Sequence, residues 1–252
     1  MVISINADDF GRDESTSKAI LSCFDRGYIS STTLMVNMPW AEDAVEIAAK
    51  KNLLDNIGLH LNLCEGVPLT EKIREVPIFC ECGVFNQKFM SSRRSLFFLK
   101  PFEIMALKEE ITAQIEKFLG YGLSPTQIDS HCHTHNVLPV LLIVVSLGRK
   151  NGFLRIRTAR NITSQKNIFS TIYKAMVNVI LSISGLRATR YFSSFKDFSA
   201  LGEKAENLNG TVELMCHPVY DEDGHIINED SQSFEAFSDF MKNNSISVKG
   251  KL

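Results

Sequence analysis

The strongest constraint on this chain is an order of segments. Short runs rich in β-branched and apolar residues alternate with longer stretches of helical periodicity. Residues 2–7, 32–36, 57–63, 127–132, 153–157 and 211–216 read as strands. Residues 15–24, 102–119 and 139–149 read as helices, with further helices near 166–184 and 195–207. Gly27 is placed to end the first helix. Pro39 sits where the second would begin, before an apolar stripe of Trp40, Ala44, Ile47 and Ala48. The unit β-loop-α recurs about six or seven times, which dictates a parallel sheet with helical crossovers. The expectation is an α/β fold in one domain over residues 1–252. A distorted or incomplete (β/α) barrel with parallel strands fits, as does an open doubly wound sheet. Residues 64–100 are too long for an ordinary βα loop and read as a lid-like insertion.

Several function classes drop out. No Gly-x-Gly-x-x-Gly follows the first strand and no Gly-x-x-x-x-Gly-Lys-Ser/Thr occurs, so dinucleotide and P-loop sites lack support. Lys+Arg is 27 and Asp+Glu is 29, a net of 27 − 29 = −2, without the basic footprint of a nucleic-acid protein. No basic segment precedes an apolar run at the N-terminus, and six cysteines in 252 residues are no disulfide scaffold, so a reduced, cytoplasmic protein is expected. Cys80 and Cys82 read as loop thiols. Residues 168–186 are apolar enough to consider a membrane span, but Lys174 near the centre costs about 2.5–3.5 kcal/mol there. The expectation is a largely buried helix, or one covered by a partner subunit.

The chemistry-bearing residues gather at predicted strand ends. His60, His131, His133, His135 and His217 all lie there, with Asp8 and Asp9. Active sites of α/β sheets form at the carboxyl ends of strands. Two adjacent carboxylates disfavour joint ionisation unless a cation is near. One of the pair can bind a metal while the other serves as general base. In Asp129-Ser130-His131-Cys132-His133-Thr134-His135 the polar groups recur every second residue, so a continuing strand would put 129, 131, 133 and 135 on one face. One or two of these histidines fit as metal ligands, with Asp129 orienting them. Spacing does not decide which. His217, opposite the Asp pair, fits a general acid for a leaving amine, or a loop cap. Arg157 pairs with Asp8, or is a surface arginine. His225 reads as a solvated loop residue.

Four segments carry a resemblance: Asn6-Ala7-Asp8-Asp9-Phe10-Gly11, Gly58-Leu59-His60-Leu61-Asn62, Asp129-Ser130-His131-Cys132-His133 and Cys216-His217-Pro218. In this order they resemble the YdjC-like (ChbG/HpnK) carbohydrate deacetylase family. The resemblance implies a distorted (β/α) barrel that removes acetyl groups from N-acetylated sugars such as chitooligosaccharides. It implies Asp8 as base, His217 as acid, and Asp9, His60 and His131 as ligands of one divalent metal, magnesium or zinc. Two imidazoles favour zinc on ligand softness. Asn62, Asp129, His133 and Arg157 are weaker candidates for substrate contact or support of the ligands. The chain departs from the family pattern at Cys132, where another His is frequent, at Val219, and in the acidic turn Asp13-Glu14.

Arg93, Arg94, Lys100, Phe97, Phe98 and Phe102 in and beside the insertion suit a sugar, a sugar phosphate or a lipid-linked glycan, or else a packed lid or oligomer contact. The expected partners are a small carbohydrate and a second copy of the chain, with no nucleic acid and no transmembrane segment. The competing functions are another metal-dependent amidohydrolase or phosphoesterase on a barrel, and a sugar-binding protein without catalysis.

Overall fold

The computed structural model describes residues 1–164 and 167–243. In chain order the elements are β1 (Val2–Phe10), α1 (Glu14–Asp25), β2 (Ser31–Leu34), α2 (Ala41–Lys50), β3 (Ile57–Leu61), α3 (Glu71–Arg74), β4 (Cys80–Glu81), β5 (Val84–Phe85), α4 (Lys88–Ser91) and α5 (Pro101–Gly120). They continue with β6 (Gln127–Ser130), α6 (Leu138–Lys150), β7 (Arg155–Ile156), α7 (Ile168–Ile183), β8 (Tyr191–Ser194), α8 (Phe195–Ser199), β9 (Thr211–Cys216), β10 (Pro218–Tyr220), β11 (Ile226–Asn228) and α9 (Phe234–Asn243). Seven strands pair in the order β7-β6-β3-β2-β1-β9-β8, every pair parallel.

The sheet is curled into an incomplete barrel. Gln127 on β6 donates to Glu213 on β9 at 3.3 Å, although four strand spacings separate them. In a flat sheet four spacings are roughly 19 Å. Arg155 of the edge strand β7 also forms an isolated parallel bridge to Arg187, in the segment before the other edge strand. Ile3, Ile5 and Ala7 of β1 join the apolar core. Asn6 and Asp8 point the other way, into a polar interior where Asn6 donates to Thr33 and Asp8. A barrel interior is normally packed with branched aliphatics; this one holds hydrogen-bonded charge.

The largest local departure creates the site. Between Ala7 and Phe10, β1 advances three residues while β2 advances two, Thr32 to Leu34. The extra residue is a β-bulge, and Asp9 within it has φ 71°. Two adjacent aspartates thereby escape the alternation that would send them to opposite faces. Gly11 closes the turn at φ 82°, where a Cβ would lie 2.9 Å from the Ala41 Cα. Asp13 then caps α1, accepting from the Thr16 N–H at 2.8 Å, an arrangement worth about 1 kcal/mol.

Other expectations need correcting. The strand expected over 127–132 ends at Ser130, and residues 131–136 form a 3-10 turn with Cys132 and His133 at φ 52° and 55°. The two-residue alternation therefore stops before His131. The strand β8, the hairpin β10–β11 and α9 were not expected from the sequence; the helix expected over 195–207 is α8 followed by a 3-10 turn. The helix expected near 166–184 appears as α7, and residue 166 lies outside the described residues. That helix buries only Val177 and Leu181. Phe169 is 86% exposed, and Ile168, Ile172, Val179 and Ile183 are exposed with it. Among the described residues no helix is long and apolar enough to cross a membrane.

Candidate active site

Arg157, just past β7, is fully buried and anchors the interior. Its Nη1 and Nη2 donate to both oxygens of Asp8 at 2.6 and 2.7 Å. Nη2 lies 2.6 Å from Asp129 Oδ2, and Nε donates to Glu213 Oε1 at 2.7 Å. One guanidinium thus faces three buried carboxylates. Burial alone would raise the Asp8 pKa; the Arg157 charge outweighs it and holds the carboxyl below the ordinary carboxylate range.

Asp9 Oδ1 lies 2.8 Å from His131 Nδ1 and 3.2 Å from His60 Nε2. Burial would raise its pKa too, but the His131 bond and the nearby His60 imidazole keep it well below the usual value. On the other ring edge, His60 Nδ1 lies 2.7 Å from Asp129 Oδ1 and 3.1 Å from Thr33 Oγ1. His60 Nε2 is buried and has no aligned hydrogen-bond partner. Burial opposes a charge on His60, and Asp129 overcomes it, lifting the pKa to about 9. For His131 burial is likewise outweighed, here by Asp9, and the pKa rises to about 10.

His217 follows β9. Its Nε2 faces Asp8 Oδ2 at 3.9 Å, and its Nδ1 lies 3.0 Å from Glu229 Oε1. Burial disfavours its charge, but the Glu229 bond raises its pKa above the ordinary value. A cleft of about 290 Å³ opens beside it, lined by Arg160, Lys196, Asp197, Asn228 and Glu229 among others.

The remaining sequence candidates fall elsewhere. Asn62 Oδ1 accepts from the backbone N–H groups of Cys64 and Glu65, so Asn62 shapes the turn rather than lining the carboxylate pair. His133 packs edge-on against Phe192, 5.6 Å between centroids, and lies 3.4 Å from Arg160 Nη2. His135 Nδ1 pairs with Ser130 Oγ at 2.6 Å. Burial lowers the pKa of both, His135 to about 3, which favours the neutral rings. The left-handed residues Cys132 and His133 explain why these rings leave the face that His131 occupies. His225 is 75% exposed. In the insertion, Arg94 is engaged by Glu103, Lys100 lies over the Phe102 ring, and Arg93 and Phe97 line a groove with Phe169, Ile172 and Met176 of α7, away from the aspartates.

Glu213, which faces Arg157, escaped the sequence reading, and so did two loop groups. Glu65 reaches His131 Nε2 at 3.2 Å and Arg12 at 3.0 Å. Glu229 holds His217. Both are loop glutamates whose partners are distant in sequence; the only local signal is the turn-forming Asn before each, Asn62 and Asn228.

The donor chemistry suits a divalent cation. Asp9, His60 and His131 each offer one atom within 4.8 Å of the others. His60 bonded through Nδ1 to a carboxylate, with a buried Nε2 that faces Asp9 without an aligned hydrogen bond, is the usual preparation of a metal-binding imidazole.

The chain is similar to known proteins along most of its length. A family model described as YdjC-like protein matches residues 2–245. A carbohydrate deacetylase of Clostridium beijerinckii is 30% identical over 244 residues, covering 93% of this chain and 87% of its own. One from Geobacillus stearothermophilus is 32% identical over 224 residues, covering 86% and 78%. A crystal structure from Enterococcus faecalis, described as a cellobiose-phosphate cleavage protein, shares the fold with a TM-score of 0.71 and 20% identity, covering 98% of this chain and 96% of that one. The chain belongs to the YdjC-like family.

Proposed function

We propose that this protein is a metal-dependent carbohydrate deacetylase, hydrolysing the acetamide of an N-acetylated amino sugar such as a chitooligosaccharide to acetate and a free amine. The observation that carries the reading is the juxtaposition of Asp8, held by Arg157, and His217, 3.9 Å from it, beside the Asp9–His60–His131 donor set.

Asp9, His60 and His131 would hold the cation. When bound, it supplies a polarised water and a counter-charge for the carbonyl oxygen. Two nitrogens and one oxygen suit zinc better than magnesium, which prefers oxygen throughout. The chain's own residues do the proton work. A carboxylate offers about four acceptor positions. Asp8 Oδ1 accepts from Arg157 and Asn6, whereas Oδ2 accepts from Arg157 alone. The free position is therefore on Oδ2, the oxygen that His217 faces. Asp8 takes the proton of the attacking water there. His217 carries its proton on Nε2, with Nδ1–H donated to Glu229, and delivers it to the departing sugar nitrogen.

The cleft beside His217 is polar and receives the sugar. Because Arg94 and Lys100 are engaged elsewhere, the insertion gives no support to a phosphorylated sugar. The six free cysteines suit the reducing cytoplasm. The exposed apolar face of α7 is the surface on which a second copy would sit. The test is acetate and amine release from a panel of N-acetylated sugars by chelator-treated protein, with and without zinc or magnesium. Phosphate release, or binding without hydrolysis, would replace this reading with the phosphoesterase or the sugar-binding alternative.

A further inference from the structure

A second cluster of metal-ligating atoms flanks His131. One donor atom from each of Cys64, His131 and Cys132 lies within 4.8 Å of the others. The local structure explains the placement. Asn62 Oδ1 accepts from the Cys64 N–H at 3.2 Å and the Glu65 N–H at 3.1 Å, fixing the turn after β3. That turn buries Cys64 to 5% exposure, with its Sγ 3.8 Å from the His131 carbonyl oxygen. Cys132 sits at φ 52°, outside the alternation of β6, which brings its thiol beside that of Cys64. Cys132 is exposed, so an ion has a route in, and both cysteines are free thiols. The deacetylation chemistry uses neither sulfur.

We propose that Cys64, His131 and Cys132 form a second metal site, selective for a thiophilic divalent ion of the zinc class. Two sulfurs and one imidazole are a soft donor set. Zinc takes three such protein ligands with water in the fourth position, and each thiol gives up its proton to solvent as its sulfur binds. Magnesium, which requires oxygen ligands, has no place there. The cluster is the softer of the two donor sets. They share His131, so a thiophilic ion at the cysteines competes for an imidazole that the other set needs.

The test uses the full-length protein, stripped by chelator, kept reduced with a phosphine and titrated with cobalt(II) without substrate. The expected result is an intense near-ultraviolet thiolate-to-cobalt charge-transfer band, lost in Cys64→Ser and in Cys132→Ser. Absence of the band from the unaltered protein, or its survival in both variants, would overturn the proposal. A second measurement needs no substitution. Zinc should abolish alkylation of Cys132, read by peptide mass, while exposed Cys82 reacts as before; unchanged alkylation of Cys132, or equal protection of Cys82, counts against the site. Both readouts are independent of hydrolysis, so they stand or fall apart from the deacetylase reading.

Discussion

Arg157→Met is the most informative perturbation of the interior. The methionine keeps much of the apolar stem and removes a guanidinium within 2.6–2.7 Å of Asp8, Asp129 and Glu213. Removing one partner of a buried ion pair costs about 3–5 kcal/mol, because the remaining charge is left unpaired. A typical folded domain has about 5–15 kcal/mol in all. At about 2–4 °C per kcal/mol for a chain of this size, Tm should fall by roughly 6–20 °C. The loss must also depend on pH. In the unaltered protein Asp8 titrates below its ordinary value, so its contribution is present above the unfolded pKa of 3.8 and is lost as pH falls through the lower native pKa. Without Arg157, burial is opposed only by the lesser charges of His60 and His217, and the carboxyl is expected to titrate above 3.8 instead. The variant then loses stability as pH rises through that raised pKa. The gap between the two proteins should be wide at about pH 8 and narrower at about pH 5. Calorimetry of both proteins in chelator at the two pH values reads it. A Tm change under about 3 °C (less than roughly 1 kcal/mol), or equal gaps at the two pH values, would refute the argument that Arg157 neutralises the interior.

Three further outcomes are expected. Asp8→Asn should lower N-acetyl hydrolysis by about 10²–10⁴-fold while leaving metal content unchanged; near-normal turnover would remove Asp8 as the base. Asp129→Asn should weaken metal binding by about 10–100-fold, measured by competition with a chromophoric chelator, because His60 loses the carboxylate that orients it; unchanged affinity would remove that orienting role. If α7 packs against a second copy, the protein sediments as a dimer and Ile172→Glu sediments as a monomer; a monomeric unaltered protein would show that the face is not a dimer contact.

The alternation of apolar runs and helical stripes was legible because the strands are backed by helices on one side, and Ile3, Ile5 and Ala7 carry that signal. The opposite face of the same strands was legible only as scattered polar residues, Asn6, Asp8, Thr33, Asp129 and Glu213, whose common destination is a matter of curl. Arg157 finds Asp8 149 residues away, a distance over which periodicity carries no information. β8 spans four residues, Tyr191–Ser194, and runs directly into α8, so neither period has room to register. The histidine run misled for a definite reason. Alternation presumes extended backbone, and left-handed Cys132 and His133 break it although neither is glycine. Sequence likewise placed Asp8 and Asp9 at a strand end; the bulge that turns both to one cavity is visible only in the pairing with β2.

The proposed amide hydrolysis requires the Asp9–His60–His131 donor set. Its most direct test is acetate released from an N-acetylated chitooligosaccharide by chelator-stripped protein, before and after one equivalent of zinc or magnesium is restored. Negligible release is expected from the stripped protein, and acetate and free amine in equal amounts once metal is returned. Release that is indifferent to the chelator, or none from any N-acetylated sugar with metal bound, would contradict it.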